Sequence, residues 1–270
     1  MRILSWNVAG IRASLRKGAL DFLKDYGADV VCIQETKAEE REVKLPGWIE
    51  EMYPKRFWKS TDGSTQRKGL SGTCIWVKAG LGLVGEIDPP AFDREGRITA
   101  VEFATFILVT VYTPNSQNPI SERHQYRVEA WDPMFRAWIS GLQARKPTVV
   151  CGDFNVALED ADVYKPDQFR NEVAGFMDTE RTNLRLLLSK GWVDAFRLLH
   201  PDAKGAYTFW DQKIPPLRNH NKGWRIDYFL VPFRFRNRIK SCKIENEIGG
   251  SDHCPVALEY DPRRNLAVVE

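Results

Sequence analysis

The sequence predicts an α/β fold built in layers, with at least part of its sheet parallel. Three observations carry that expectation. Residues 2–7, 19–26 and 29–35 read as strand, helix and strand, the order that a parallel crossover requires. The runs 29–33 and 148–151 are apolar without alternation, as strands covered on both faces are. Between 81 and 112 three strands follow one another with no room for helices, which is an antiparallel meander.

A chain of 270 residues fits a single layered domain, 1–270, because its longest polar stretches, 60–71 and 213–222, are loop-sized and bounded by apolar strands. The net charge of +3 is too mild to name a partner, and the nine Trp are many for this length. The five cysteines (Cys32, Cys74, Cys151, Cys242 and Cys254) lack any Cys-x-x-Cys spacing and sit mostly in apolar runs, as reduced buried thiols do. No stretch is long enough to span a membrane, and Met1 leads straight into a strand. The expectation is a soluble intracellular protein, in cytoplasm or nucleus, not a secreted one.

The first strand exits through Trp6-Asn7-Val8-Ala9-Gly10, delivering an amide. Ala19, Phe22, Leu23 and Tyr26 then repeat at helical spacing up to Gly27, and the next strand ends at Gln34-Glu35. The segment 62–68 is polar and basic at its end (Arg67, Lys68), which in isolation is a solvated hairpin loop before the strand 71–77. Strands at 81–87, 97–103 and 106–112 follow, and Pro114 stops the last of them beyond Tyr112. Val128, Trp131, Phe135, Trp138 and Leu142 form a helical core stripe, in which Pro133 either kinks the helix or starts its second half.

The strand 148–151 stops at Gly152 and presents Asp153 and Asn155, two residues apart and therefore on one side. A Gly-Asp turn is common, so the pair gains weight only from partners elsewhere. A loop with Lys165 and Arg170 leads to a helix carrying Leu184, Leu187 and Leu188, then to Trp192-Val193-Asp194. Next, Tyr207-Thr208-Phe209-Trp210 precedes a loop with Lys213, Arg218, His220 and Lys222, and 224–231 reads as a strand. Aromatics beside a basic loop suit a phosphate backbone with a base or sugar, although two core strands joined by a solvated loop is the plainer reading. Phe233-Arg234-Phe235-Arg236 reads as the solvated face of a strand, and Gly250-Ser251-Asp252-His253 sets a carboxylate beside an imidazole before a final strand.

Asn7, Glu35, Tyr112, Asp153, Asn155, Asp227, Asp252 and His253 thus fall at or beside strand ends. That set meets the needs of phosphodiester hydrolysis. Glu35, Asp252 and the Asn7 amide offer oxygen donors to a hard divalent cation. Asp153 is placed to take a proton from the attacking water, and Asp227 can hold His253 charged and oriented toward the phosphoryl oxygens. Zinc spacing and a phosphate loop with Lys-Ser/Thr are both missing from the sequence, which argues against zinc hydrolysis and nucleoside-triphosphate chemistry.

Seven ordered segments carry a resemblance: Trp6-Asn-Val-Ala-Gly-Ile-Arg12, Cys32-Ile-Gln-Glu-Thr-Lys37, Arg67-Lys-Gly-Leu-Ser-Gly72, Val111-Tyr-Thr-Pro-Asn115, Gly152-Asp-Phe-Asn-Val-Ala157, Gly223-Trp-Arg-Ile-Asp-Tyr-Phe229 and Gly250-Ser-Asp-His-Cys-Pro255. Across nearly its whole length the chain resembles the exonuclease III-type apurinic/apyrimidinic endonucleases of the endonuclease/exonuclease/phosphatase superfamily. The resemblance implies a four-layer sandwich, two β-sheets packed face to face with helices outside. It implies magnesium, with manganese as an alternative, at a metal site drawn from Glu35, Asn7, Asp252, Asp153, Asn155 and His253. Catalytic roles would fall to Asp153, Asn155, His253, Asp227 and Tyr112. Substrate contacts would come from Asn115, Arg67 and Lys68, with Phe209, Trp224 and Ile226 lining an apolar pocket for a flipped sugar without its base. The implied partner is duplex DNA with abasic sites or blocked 3′ ends, bound by a monomer. Ala9, where some relatives carry an aspartate, and Leu70, in place of a common tyrosine, depart from the pattern. A phosphatase of the same superfamily, a secreted nonspecific nuclease and an inactive damage-binding protein are the competing readings, and the complete set of catalytic side chains ranks the last of these low.

Overall fold

Arg2–Asn7 (β1) carries two apolar faces: Ile3 packs into one buried cluster, while Leu4 and Trp6 pack into another. Val30–Gln34 (β2) repeats the pattern, with Val30 and Cys32 on the first side and Val31 and Ile33 on the second. Strands with two buried faces must be covered on both. In the computed structural model, which describes residues 1–61, 63, 69–211 and 217–263, they are.

The remaining strands are Lys55–Lys59 (β3), Thr73–Val77 (β4), Leu83–Ile87 (β5), Ile98–Phe103 (β6), Ile107–Tyr112 (β7), Thr148–Asp153 (β8), Trp192–Asp194 (β9), Asp227–Pro232 (β10), Ile239–Ile244 (β11) and Val256–Tyr260 (β12). They form two six-stranded sheets, in the orders β11-β12-β1-β2-β4-β3 and β5-β6-β7-β8-β10-β9. Each sheet has one parallel pair at its centre, β1 with β2 and β7 with β8, flanked by antiparallel neighbours. The inner faces meet in a shared core in which Ile3, Val30, Cys32 and Ile75 face Leu108, Val149, Cys151 and Phe229. The outer face of the first sheet buries Leu4, Trp6, Val31 and Ile33 under the helical segments 11–16, 23–26 and 47–52. The outer face of the second buries Val109, Val111, Val150 and Leu230 under the helices 132–145 and 178–188. Helix, sheet, sheet, helix is the expected four-layer sandwich. All five cysteines are buried and free, and no helix among the described residues is long and apolar enough to cross a membrane.

Several elements differ from the sequence expectation. The helix expected over 19–26 is helical only at Leu23–Tyr26, closed by Gly27 (φ +76°) as expected, and a further helix not anticipated from the sequence, Ile11–Arg16, precedes it, with Gly18 (φ +66°) between the two. The stripe 121–142 contains a π-helical stretch, Tyr126–Trp131, and Pro133 opens the α-helix that follows. The π stretch shifts the register, so Ile139 is buried with Trp131, Phe135 and Leu142, while Val128 and Trp138 are half-buried. Phe233–Arg236 is not strand but part of a 3₁₀ turn, 233–238, that follows Pro232. Residues 224–226 approach Val163 and Phe209 only through isolated bridges, and regular pairing starts at Asp227. β3 and β11 escaped the sequence reading because their charged faces break up short apolar patterns.

Candidate active site

The inner layer between the sheets changes from apolar to polar toward one end. Gln34 Nε2 donates to Ser5 Oγ (3.1 Å) on its own sheet and to Thr110 Oγ1 (2.7 Å) on the other, and the Thr73 and Thr99 hydroxyls lie 2.8 Å apart. One layer farther out come the candidate catalytic groups. Tyr112, Asp153 and Asp227 are Cα partners in one row across β7, β8 and β10, so their side chains share the inner face. β1 and β2 exit at the same end, with Asn7 and Glu35. Register alone therefore gathers residues that are far apart in sequence.

Local backbone fixes the rest. A Cβ on Gly152 (φ +133°) would stand 2.0 Å from the Val111 carbonyl oxygen, so only glycine allows β8 to approach β7 there. Glu35 (φ +53°) and Asn155 (φ +49°) both adopt the left-handed region, which non-glycine residues enter at a cost and which concentrates at working sites.

The hydrogen bonds form one connected set. Asn7 Nδ2 donates to Glu35 Oε1 (3.0 Å) and to Asp153 Oδ2 (2.9 Å), bridging the two sheets. The second Glu35 oxygen lies 2.6 Å from Lys37 Nζ. Asp153 Oδ1 accepts from the Asn155 backbone N–H (2.8 Å). Asn155 in turn donates to Thr113 O (2.8 Å) and accepts from Asn115 Nδ2 (3.0 Å). His253 Nδ1 is 2.8 Å from Asp227 Oδ2, its Nε2 is 3.8 Å from Asp153 Oδ2, and the Phe209 ring packs 4.9 Å from the imidazole. Asp252 is half-buried at the rim, accepting from Ser251 Oγ (3.1 Å).

Burial by itself would push the His253 imidazole down, but the Asp227 and Asp153 carboxylates outweigh it and raise the group to about 10. His253 is thus an imidazolium at neutral pH. Asp153 moves the opposite way for a carboxylate, raised by burial and by the Asp227 charge to about 7. For Glu35, burial is overcome by the Lys37 ammonium and the Asn7 amide, which hold it below the usual carboxylate range. Burial and the nearby Glu35 charge push the Tyr112 phenol well up, leaving it a protonated donor.

Above these groups opens a cavity of about 410 Å³. Its polar lining comprises Glu35, Tyr112, Asn115, Asp153, Asn155, Asp211, Lys222, Asp252 and His253. Rings and methyls complete it: Tyr164, Phe169, Val173, Phe209, Trp224 and Ile226, of which Phe169, Phe209, Trp224 and Ile226 belong to one apolar cluster. Trp224 stacks on Phe169 (centroids 5.4 Å, 26°) and meets Phe176 edge-on.

Residues 4–253 match the Endonuclease/Exonuclease/phosphatase family. The chain belongs to this family. Within it, the chain is 41% identical over 261 residues to the DNA repair nuclease APEX1 of Danio rerio, covering 96% of this chain and 81% of that one. It is 39% identical over 260 residues to an exodeoxyribonuclease of Bacillus subtilis, covering 96% and 98%. The crystal structure of the AP endonuclease LMAP from Leishmania major superposes with a TM-score of 0.85 at 30% identity, covering 97% and 88%. These likenesses put the chain in the exonuclease III-type branch of the family, among the phosphodiester-hydrolysing nucleases.

The donor chemistry of this nuclease fits a hard cation, because Glu35, Asp252 and Asn7 offer only oxygen ligands. The ligand atoms of Asp153, Asp227 and His253 also lie within 4.8 Å of one another, close enough to hold a metal. An imidazolium has no free nitrogen lone pair, however, so while His253 is charged that group is compensated from within and a cation is better served on the Glu35 side.

Ten of the residues named from sequence line the one cavity, and Asn7 and Asp227 stand just behind it, bonded to its lining. Arg67, Lys68 and Lys213 lie outside the described residues. Sequence reasoning gave no role to Lys37, Tyr164, Phe169 or Val173. The loop holding Lys165 and Arg170 was read for its charges, whereas the neighbouring aromatics Tyr164 and Phe169 build the wall.

Proposed function

We propose that this nuclease is a magnesium-dependent repair phosphodiesterase that incises duplex DNA 5′ to an abasic site and also trims 3′ ends. It would do so as one domain spanning residues 1–270 and as a monomer, inside the cell where duplex DNA is found. The observation that carries the reading is that one cavity is lined both by the charged and polar candidate groups and by the apolar cluster of Phe169, Phe209, Trp224 and Ile226.

Magnesium held by Glu35, Asn7 and Asp252 supplies charge neutralisation at the phosphate, and manganese suits the same oxygen donors. Asp153, poised near neutrality, accepts the proton of the attacking water, and Asn155 orients that water. The His253 imidazolium, held at Nδ1 by Asp227, faces the developing phosphoryl charge with its Nε2–H. Tyr112 and Asn115 donate to the phosphate oxygens. Phe209, Trp224 and Ile226 receive a flipped deoxyribose, and a normal base there would leave its polar edge unpaired against rings and methyls. Arg67 and Lys68 meet the backbone as basic contacts. The name of the Leishmania major neighbour, an AP endonuclease, supports abasic-site incision. That of the Bacillus subtilis relative favours a second reading, mainly a 3′–5′ exodeoxyribonuclease.

Labelled duplexes with one abasic site, without it, and with a recessed 3′ end, each with magnesium or chelator, test the proposal. Magnesium-dependent incision at the abasic site is the expected result. Trimming of ordinary 3′ ends with little incision would replace it with the second reading.

A further inference from the structure

Beneath the cavity lies a buried ion pair that touches no position where substrate would sit. Arg127 and Glu180 are both sealed from solvent. Arg127 is carried on the π-helical stretch 126–131, and the extra residue in such a turn re-aims its side chains. Its guanidinium is spent on the catalytic loop: Nη1 donates to the Asn155 carbonyl (2.7 Å) and to Glu180 Oε1 (3.1 Å), and Nη2 donates to the Phe154 carbonyl (2.7 Å).

Glu180 divides its two oxygens between two other walls of the site. Oε1 also accepts from Ser116 Oγ (2.5 Å), the neighbour of Asn115. Oε2 accepts from the backbone N–H groups of Gly175 (2.7 Å) and Met177 (3.1 Å), and Gly175 lines the cavity beside Trp224. Four donors thus converge on two oxygens, a demand that only a charged carboxylate meets. A glutamine would turn its own N–H₂ toward donors in either orientation.

We infer that Arg127 and Glu180 are a positioning pair that sets Asn155 and ties it to the phosphate-side loop through Ser116 and to the pocket wall through Gly175. Both act through other residues and neither touches the reacting atoms. The inference rests on the placement of Asn155 in the reaction proposed above.

Steady-state cleavage of a duplex carrying a tetrahydrofuran abasic analogue tests it, with Arg127→Lys, Asn155→Ala, their double variant and Ser116→Ala. Lys keeps the charge but cannot fork to two carbonyls. It should lower kcat about tenfold to a hundredfold with KM held within about threefold, as a small misplacement of a reacting group does. The double variant should lose no more than Asn155→Ala alone, because the two changes delete one device. Ser116→Ala, which removes a single link, should lower kcat severalfold. Additive losses in the double variant, or a loss confined to KM, overturn the inference. If Arg127→Lys does not fold, Ser116→Ala decides, and an unchanged kcat there overturns the coupling. Undiminished turnover in Asn155→Ala would instead refute the role given to that residue in the proposed reaction.

Discussion

Asp153 and Asp227 are Cα partners on adjacent antiparallel strands, and the His253 imidazole bridges their carboxylates, with Nδ1 2.8 Å from Asp227 and Nε2 3.8 Å from Asp153. Two buried carboxylates so close cannot both ionise without a cation, and His253 provides one. The two carboxylates differ in placement: Asp227 is committed to the short bond, while Asp153 lines the cavity and accepts from Asn7 and the Asn155 backbone.

Asp227→Asn should therefore preserve shape and remove the charge that keeps the imidazole protonated. With His253 raised to about 10, wild-type activity should persist into alkaline pH and fall as pH rises through that value. The variant should lose about a hundredfold in kcat, of the order seen when a preorganised donor is removed. Its alkaline limb should also move to lower pH. Rate profiles of kcat from pH 6 to 11 check this, and superimposable limbs would count against the role of Asp227.

Lys37 bears on the proposed metal site. Its ammonium sits 2.6 Å from Glu35 Oε2 and Asn7 occupies Oε1, so an arriving divalent ion must displace the ammonium. Lys37 is nearly half exposed, so the pair is partly screened and its loss should matter modestly. Lys37→Met should bind Mn²⁺ about threefold to tenfold more tightly, up to about 1.4 kcal/mol. Titration of free Mn²⁺ by electron paramagnetic resonance in the absence of DNA reads this directly. Equal affinities in variant and wild type would show that Lys37 does not compete.

Asp132 offers a test of stability away from the chemistry. Burial raises its carboxyl to about 6, against the opposing pull of Arg127, whose Nε lies 3.8 Å away. An acid whose folded value is raised stabilises the fold only while neutral. Its contribution is full below the unfolded value near 3.8 and is lost as pH rises through about 6. Asp132→Asn should accordingly stabilise the protein by roughly 1–3 kcal/mol at pH 8 and by progressively less toward pH 4. Urea midpoints across that range decide, and a pH-independent difference would contradict the account.

The layered α/β character and the position of the site were legible because both depend on strand ends, whereas the four-layer sandwich was implied only by the resemblance of the seven ordered segments. β1, β2, β7, β8 and the entry to β10 are apolar runs that stop at polar residues, and in-register pairing then aligns Tyr112, Asp153 and Asp227 without further information. Less was visible where tertiary context decides. The π stretch at 126–131 follows the same apolar periodicity as an α-helix, so nothing in its sequence announced that Arg127 would point inward. The charges at both ends of Lys55–Lys59, which leave only Phe57-Trp58 apolar between them, hid an edge strand. Phe169 ends a single-turn helix, Pro166–Phe169, too short for an aromatic to carry a periodic signal, and its partner Trp224 is 55 residues away in the chain.

The Phe169–Trp224 stack allows the proposed abasic pocket to be tested apart from the hydrolytic groups. The Trp224 backbone exchanges two hydrogen bonds with Phe209, each 2.9 Å, so removing the indole leaves the local chain path anchored. On the proposed reading, an internal abasic sugar is gripped by the aromatic lining, whereas a blocked 3′ terminus needs mainly the charged groups. Trp224→Ala should therefore lower kcat/KM for abasic incision about tenfold to a hundredfold, the scale of one lost stacking platform. Removal of a 3′ block should fall by less than about threefold, since ring stacking enters there only weakly. Phe169→Ala should show the same asymmetry at smaller size, because Phe169 backs the indole. Parallel loss of both activities in the two variants would mean that the wall shapes the hydrolytic centre itself, and abasic selectivity would then have to reside in the loops that flank the cavity.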